Sequence, residues 1–271
     1  MSTTLSDSGR IAAAAQIIAK ARLANTPLDT LPDAIWPRDL AEGYRVQDQA
    51  HSLLTAAGRG AIVGHKIGAT TPVMQDYMRI DHPCAGGIFA TTVHQSGVTL
   101  PYSRFIKVGI ECEVATRLGK DMPPQDAPYT RASVAPYVDA YMAAIELVDD
   151  RYKDWPSMGT PSLAADDFFG TGSVLGPPVA PQETPDLITI PGRAILNGTE
   201  VASGRGADVM GHPLEALAWL ANHFAQRGAS LRAGEFVSTG SLVKTIWLTP
   251  GDHIAIEIDG LGRVEVAVSR N

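Results

Sequence analysis

Glu111 and Glu113, two residues apart in the apolar run Val108-Gly-Ile-Glu-Cys-Glu-Val-Ala, have a spacing suited to shared chemistry. In an extended strand alternate side chains share a face, so Ile110, Cys112 and Val114 point one way and the glutamates the other. Such positions lie about 6.5–7 Å apart along the backbone, close enough for two carboxylates to converge on one cation. Glu146 is a lone charge inside Ala143-Ala-Ile-Glu-Leu-Val, where burial is costly unless the carboxylate is paired or metal-bound. Three such oxygen donors suit Mg²⁺ or Mn²⁺ and leave room in the coordination shell for a chelating ligand and water. The plainer explanation of the Glu-x-Glu pair is a strand face turned to water. Lys66 sits in Gly64-His-Lys-Ile-Gly68, where glycines allow close backbone approach and an ammonium can hold a carboxylate. A surface lysine in a tight turn explains that segment equally well.

Other chemistries find less support. Gly170-Thr-Gly172 followed by Gly176 lacks dinucleotide-loop spacing, and Pro177-Pro178 stand where a helix should begin. There is no P-loop, H-E-x-x-H or G-x-S-x-G motif, and the seven histidines are scattered without ligand spacing. The 271 residues carry 29 acidic against 22 basic side chains, net −7, which argues against a nucleic-acid partner. No apolar run is long enough to span a membrane. The first nine residues lack the pattern of a secretory signal, and only two cysteines, Cys84 and Cys112, are present. A reducing cytoplasm is the expected setting.

The elements that must position these groups can be read in outline. Ile11, Ala14, Ile18 and Ala21 recur at helical spacing, as do Val46, Ala50, Leu53 and Ala57 before Gly58, with Pro27, Pro32 and Pro37 in a connector between them. Strands are expected over 61–67, 97–100 and 108–118, and over 141–148, where a helix is the alternative. The Pro-, Gly-, Ser- and Asp-rich stretch 151–170 reads as a long surface loop. Pro213 and Gly228 bracket a helix whose Leu214, Leu217, Leu220, Ala221 and Phe224 share a face. Ile254, Ile256 and Ile258, a Gly260-Leu261-Gly262 turn, then Val264, Val266 and Val268 read as a hairpin. The division expected is a helical portion, 1–60, packed on a β-rich core, 61–271, as one structural unit.

Taken in order, several segments resemble the 2-keto-4-pentenoate hydratase / 4-oxalocrotonate decarboxylase family of the fumarylacetoacetate hydrolase superfamily. They are Gly64-His-Lys-Ile-Gly-Ala, Ile110-Glu-Cys-Glu-Val-Ala, Ala144-Ile-Glu-Leu-Val-Asp and Ala165-Asp-Asp with Val174-Leu-Gly. Asn197-Gly with Gly204, Gly211-His-Pro with Leu217-Ala-Trp-Leu-Ala, and Gly234-Glu-Phe-Val-Ser-Thr-Gly continue the series. The resemblance runs from about residue 40 to 268. It implies an α+β fold: a mixed β-sheet roll of the fumarylacetoacetate hydrolase C-terminal-domain type with flanking helices, assembled as a homo-oligomer. It also implies that Glu111, Glu113 and Glu146 bind Mg²⁺ or Mn²⁺, that Lys66 contacts the substrate, and that Ser241 and Asp167 lie at the substrate. Two positions depart from the family pattern. Cys84 stands where many members carry an aspartate credited with proton transfer, and Asp166-Asp167 replaces Asp-Asn. Asp81 and His82 are the neighbours available as a replacement acid–base pair.

The activity implied is addition of water to a 2-hydroxy-2,4-dienoate, giving a 4-hydroxy-2-oxo acid in catabolism of aromatic or steroid ring-cleavage products. The alternatives are decarboxylation of a 4-oxalocrotonate-type acid, C–C hydrolysis of an acylpyruvate, and a non-catalytic partner subunit. The last fits poorly with a chain that keeps all three glutamates and Lys66.

Overall fold

The computed structural model describes residues 6–271. The first five positions of the start that was read for a secretory signal lie outside the described residues. Helix α1 (Asp7–Ala24) is capped by Ser6, whose side chain accepts from the Gly9 amide, and ends at Asn25 in the left-handed conformation. After the proline connector, Asp39 caps α2 (Leu40–Leu54). The chain then alternates short strands and helices: β1 (Ile62–Gly68), α3 (Pro72–Met78), β2 (Cys84–Phe89), β3 (Val93–Gln95) and β4 (Val98–Pro101). Two long strands follow, β5 (Val108–Leu118) and β6 (Val138–Asp149), joined through the single turn α4 (Arg131–Val134). The run expected to be strand or helix at 141–148 is therefore strand. The rest is α5 (Thr160–Ala165), β7 (Gly170–Leu175), β8 (Pro191–Leu196), β9 (Thr199–Arg205), α6 (Pro213–Gln226), β10 (Phe236–Ser241), β11 (Ile246–Trp247), β12 (His253–Ile258) and β13 (Gly262–Ser269).

The strands form two mixed sheets. One has the order β2-β1-β10-β5-β6-β7-β3 with β11 on the end of β5; the other runs β4-β13-β12-β8-β9. The β12–β13 hairpin has the expected register, Ile256 opposite Val264 and Ile254 opposite Val266, and all four side chains are buried. Between the sheets lies the main core. Ile110, Cys112 and Val114 of β5 share it with Ile254, Ile256, Val264 and Val266, and the Cys112 sulfur fills the space a side chain at Gly192 would need. Period-two alternation then turns Glu111 and Glu113 to the other face of the large sheet.

A second apolar cluster closes that other face from the N-terminal side. Ile11, Ala14 and Ile18 of α1 and Val46 and Ala50 of α2 pack with Leu163 and Ala164 of α5, and with Cys84 and Phe168. Stretch 151–170 is not the surface loop expected from its composition. Arg151, Asp166, Asp167 and Phe168 are buried, and α5 packs on α2. The buried Arg151, Asp166 and Asp167 bond within this segment and to the N-terminal helices instead of water, which is what permits their burial.

Candidate active site

Sheet register brings the carboxylates together. Glu111 pairs with Glu146 across β5–β6, and Glu113 pairs with Ser241 across β5–β10. Glu111, Glu113 and Glu146 each offer an oxygen within 4.8 Å of the others; Glu113 and Glu146 are buried and Glu111 is half-buried, so the cluster opens on the Glu111 side. Lys66, on β1 between Gly86 of β2 and Ser238 of β10, reaches over the sheet to place Nζ 3.0 Å from Glu146 Oε1. Its ammonium also donates to the Phe168 carbonyl at 3.1 Å. Gly86 makes this route possible, because a side chain there would press at 3.1 Å on both Lys66 and Asp167.

The charges do not balance. Like charges at this spacing repel by about 3–4 kcal/mol per pair at an effective dielectric of about 20, and one ammonium faces three carboxylates. Burial, then the charges of Glu146 and Glu111, push the Glu113 carboxyl well above its ordinary range. Burial raises Glu146 to about 7 against the pull of Lys66. Burial by itself lowers the Lys66 pKa, but Glu146, Glu111 and Glu113 outweigh it and raise it. Glu113 Oε1 and both Glu146 oxygens are buried without a hydrogen-bond partner, the Lys66 ion pair apart. Orphaned carboxylate oxygens carrying surplus negative charge are the donor set a hard divalent cation requires, so these three side chains could hold one. Thr245 donates to Glu111 Oε1 at 2.5 Å, and the Gly240 amide donates to Glu113 Oε2 at 3.2 Å, fixing the outer oxygens.

Of the remaining residues singled out from the sequence, Asp167 and Ser241 adjoin the cluster, while Asp81 and His82 are turned away from it. Asp167 is fully buried but already saturated: Oδ2 meets Arg22 Nη1 at 2.5 Å, and Oδ1 meets His51 Nε2 at 2.7 Å and the Gly87 amide at 2.9 Å. Burial works against its charge, yet His51 and Arg22 outweigh it and hold its pKa well below the carboxylate norm. It is thus a buttress for the segment beside Lys66, not a group with a free oxygen for a substrate. The Ser241 hydroxyl bonds the backbone, accepting from the Cys112 amide at 3.2 Å and donating to the Val243 carbonyl at 2.7 Å, so it shapes the β10 turn. Asp81 is not brought to the cluster; its side chain is 99% exposed. The ring of His82 stacks on Trp219 of α6, turned to that helix. Cys84 offers no substitute, since burial pushes its thiol up to about 12.

Sequence reading passed over Thr245, Arg22, His51 and Arg151. Arg151 donates to the carbonyls of Asp166, Phe169 and Gly170 and to Asp166 Oδ2, clamping a segment in which Asp167, Phe168 and Phe169 all have positive φ. Three successive non-glycine residues in that region store strain that only surrounding contacts can hold. A polar residue inside Ala-rich α1, Arg22, was the available signal, but nothing local names its partner 145 residues away.

Residues 85–269 match the family described as fumarylacetoacetate (FAA) hydrolase C-terminal. The chain is 31% identical over 260 residues to the 2-keto-4-pentenoate hydratase of Burkholderia vietnamiensis, covering 96% of this chain and 98% of that one. It is 30% identical over 227 residues to the 2-hydroxyhexa-2,4-dienoate hydratase of Comamonas testosteroni, covering 83% and 84%. Two structures of 4-oxalocrotonate decarboxylase from Pseudomonas putida G7 superpose with TM-scores of 0.89 and 0.88. One is complexed with magnesium and adipate, the other with calcium and acetate; each is 28% identical and covers 97% of this chain and 98% of its own. Sheet architecture, motif order and these likenesses along nearly the whole length agree: the chain belongs to the fumarylacetoacetate hydrolase family, in its 2-keto-4-pentenoate hydratase / 4-oxalocrotonate decarboxylase branch.

Proposed function

We propose that this protein is a divalent-metal-dependent hydratase that adds water to a 2-hydroxy-2,4-dienoate, giving a 4-hydroxy-2-oxo acid. The observation that carries this is the convergence of Glu111, Glu113 and Glu146, with orphaned buried oxygens, beside a buried Lys66. The likeness to hydratases along almost the whole chain supports the same reaction. In this reading the three glutamates hold Mg²⁺ or Mn²⁺. When bound, the cation stabilises negative charge developing on a chelated 2-oxo acid.

The chain's own groups do the rest. Lys66, its ammonium turned into the cluster, holds the acid end by charge. The dienol gains a proton at its far carbon to become a conjugated 2-oxo-enoate; water then gives hydroxyl to C4 and a proton to C3. Cys84 stays protonated and Asp81 stands in solvent, so in this reading water carries the protons at the distal carbons. Residues 1–60 and 61–271 act as one unit here, because Arg22 and His51 hold the wall beside Lys66. We further place the protein in the cytoplasm as a homo-oligomer. The exposed Val73, Met74 and Tyr77 of α3 offer an apolar surface for a second copy.

The test is to supply 2-hydroxypenta-2,4-dienoate and longer homologues with Mg²⁺ or Mn²⁺, following the ultraviolet absorbance and product mass. Products one water heavier support the reading; no turnover across the panel overturns it. The superposition on the decarboxylase favours a second reading, loss of CO₂ from a 4-oxalocrotonate-type acid at the same site. A product 44 mass units lighter, on the arithmetic of CO₂ alone, would identify it.

A further inference from the structure

A second space in the molecule is lined by neither Lys66 nor any of the three glutamates. It is a cavity of about 230 Å³ into which four separate parts of the chain send arginines: Arg22 from α1, Arg59 after α2, Arg104 after β4 and Arg151 after β6. Bringing four guanidinium groups to one cavity is unfavourable unless something negative joins them. Asp149 is the one carboxylate in the lining, and it is spent on backbone, accepting from the amides of Ile106 and Lys107. Arg22 and Arg151 are balanced by Asp166 and Asp167 behind the wall.

That leaves Arg59 and Arg104. Arg59 is half-buried and makes one long contact, 3.4 Å to the Arg22 carbonyl. Arg104 is exposed and stands at the mouth of the cavity. Among the described residues neither has a carboxylate within 4.0 Å. Burial, then Arg22, Arg104 and Arg151, draws the Arg59 pKa down, and burial with Arg104 does the same to His94 in the lining. Phe89 and Leu147 supply apolar wall. A space of this size suits a chain of a few carbons.

We propose that this cavity is a binding site for a small organic anion, a short-chain carboxylate or dicarboxylate, gripped by Arg59 and Arg104. Guanidinium groups pair carboxylates bidentately, and the apolar wall covers a short carbon chain. Inorganic phosphate offers similar charge without the carbon chain. The inference does not rest on the hydratase reading, since binding, not turnover, tests it.

Calorimetric titration of Mg²⁺-loaded protein with succinate, and separately with inorganic phosphate, is the experiment. One succinate per chain is expected for the wild type, weakened at least tenfold in both Arg59→Ala and Arg104→Ala. Each variant should keep Mn²⁺ affinity, which shows that it is folded and that the metal centre is intact; if one fails to fold, the other decides. Arg232→Ala, an exposed arginine elsewhere, should bind as the wild type does. Preference for succinate supports an organic acid as occupant, and binding of phosphate alone overturns that identity. Absence of binding, equal binding by both pocket variants, or equal loss in Arg232→Ala overturns the site. So does a change of molecular mass in Arg104→Ala without anion binding, which would make this face an interface between copies.

Discussion

Glu113 is fully buried, keeps one oxygen unpartnered and faces two other carboxylates, so without metal its charge is a liability. Glu113→Gln keeps the shape and the acceptor for the Gly240 amide while removing that charge. The variant is expected to be more stable than the wild type in metal-free buffer at pH 8, by about 1–3 kcal/mol. Its Mn²⁺ affinity should fall by at least a hundredfold; urea denaturation and Mn²⁺ titration check the two effects. Lys66 is the opposite case, a buried cation that earns its proton from the same carboxylates. For Lys66→Ala, inhibition by oxalate, a small chelating mimic of the substrate's acid end, is expected to weaken about tenfold or more. Unchanged inhibition would remove Lys66 from the acid-binding role.

The element that matters most is the strained segment between α5 and β7, because it places the Phe168 carbonyl that Lys66 holds. Arg22→Ala leaves the Asp167 charge buried with only His51 opposite it. Removing one partner of a buried pair costs about 3–5 kcal/mol, and a loss of that order is expected in urea denaturation. Such long-range pairing explains what could and could not be read from the sequence. The β5 glutamates were legible because strand periodicity is local and Ile110, Cys112 and Val114 mark the apolar face. Glu146 was legible as a charge out of place, and its strand register completes the cluster. Stretch 151–170 departs from the expected surface loop because loop-like composition reports solvent preference only when its polar groups lack internal partners. Arg151, Asp166 and Asp167 have them, from elements distant in sequence. Asp81 and His82 are close to Cys84 in the chain, but the turn before β2 leaves Asp81 in solvent and stacks His82 on α6.

At the scale of the whole molecule, two sheets bury a common core and leave one face of the larger sheet for charge, which the N-terminal helices then wall in. In the proposed reading, stability is therefore coupled to metal and to pH. Glu146 has a folded-state pKa of about 7, above its ordinary 4.5, so the folded state binds more protons than the unfolded one between those values. The metal-free protein should lose stability as pH rises from about 4.5 to 7, and saturating Mn²⁺ should give its largest rise in melting temperature above that window. Calorimetric scans across pH 4.5–8, with and without Mn²⁺, check the sign. The central claim joins this cluster to the reaction, and the rate of water addition to 2-hydroxypenta-2,4-dienoate as metal is removed and restored tests it most directly. The account predicts that turnover vanishes in metal-stripped protein, returns with Mg²⁺ or Mn²⁺, and stays at least a thousandfold down in Glu113→Gln. Undiminished hydration by metal-stripped protein would contradict it.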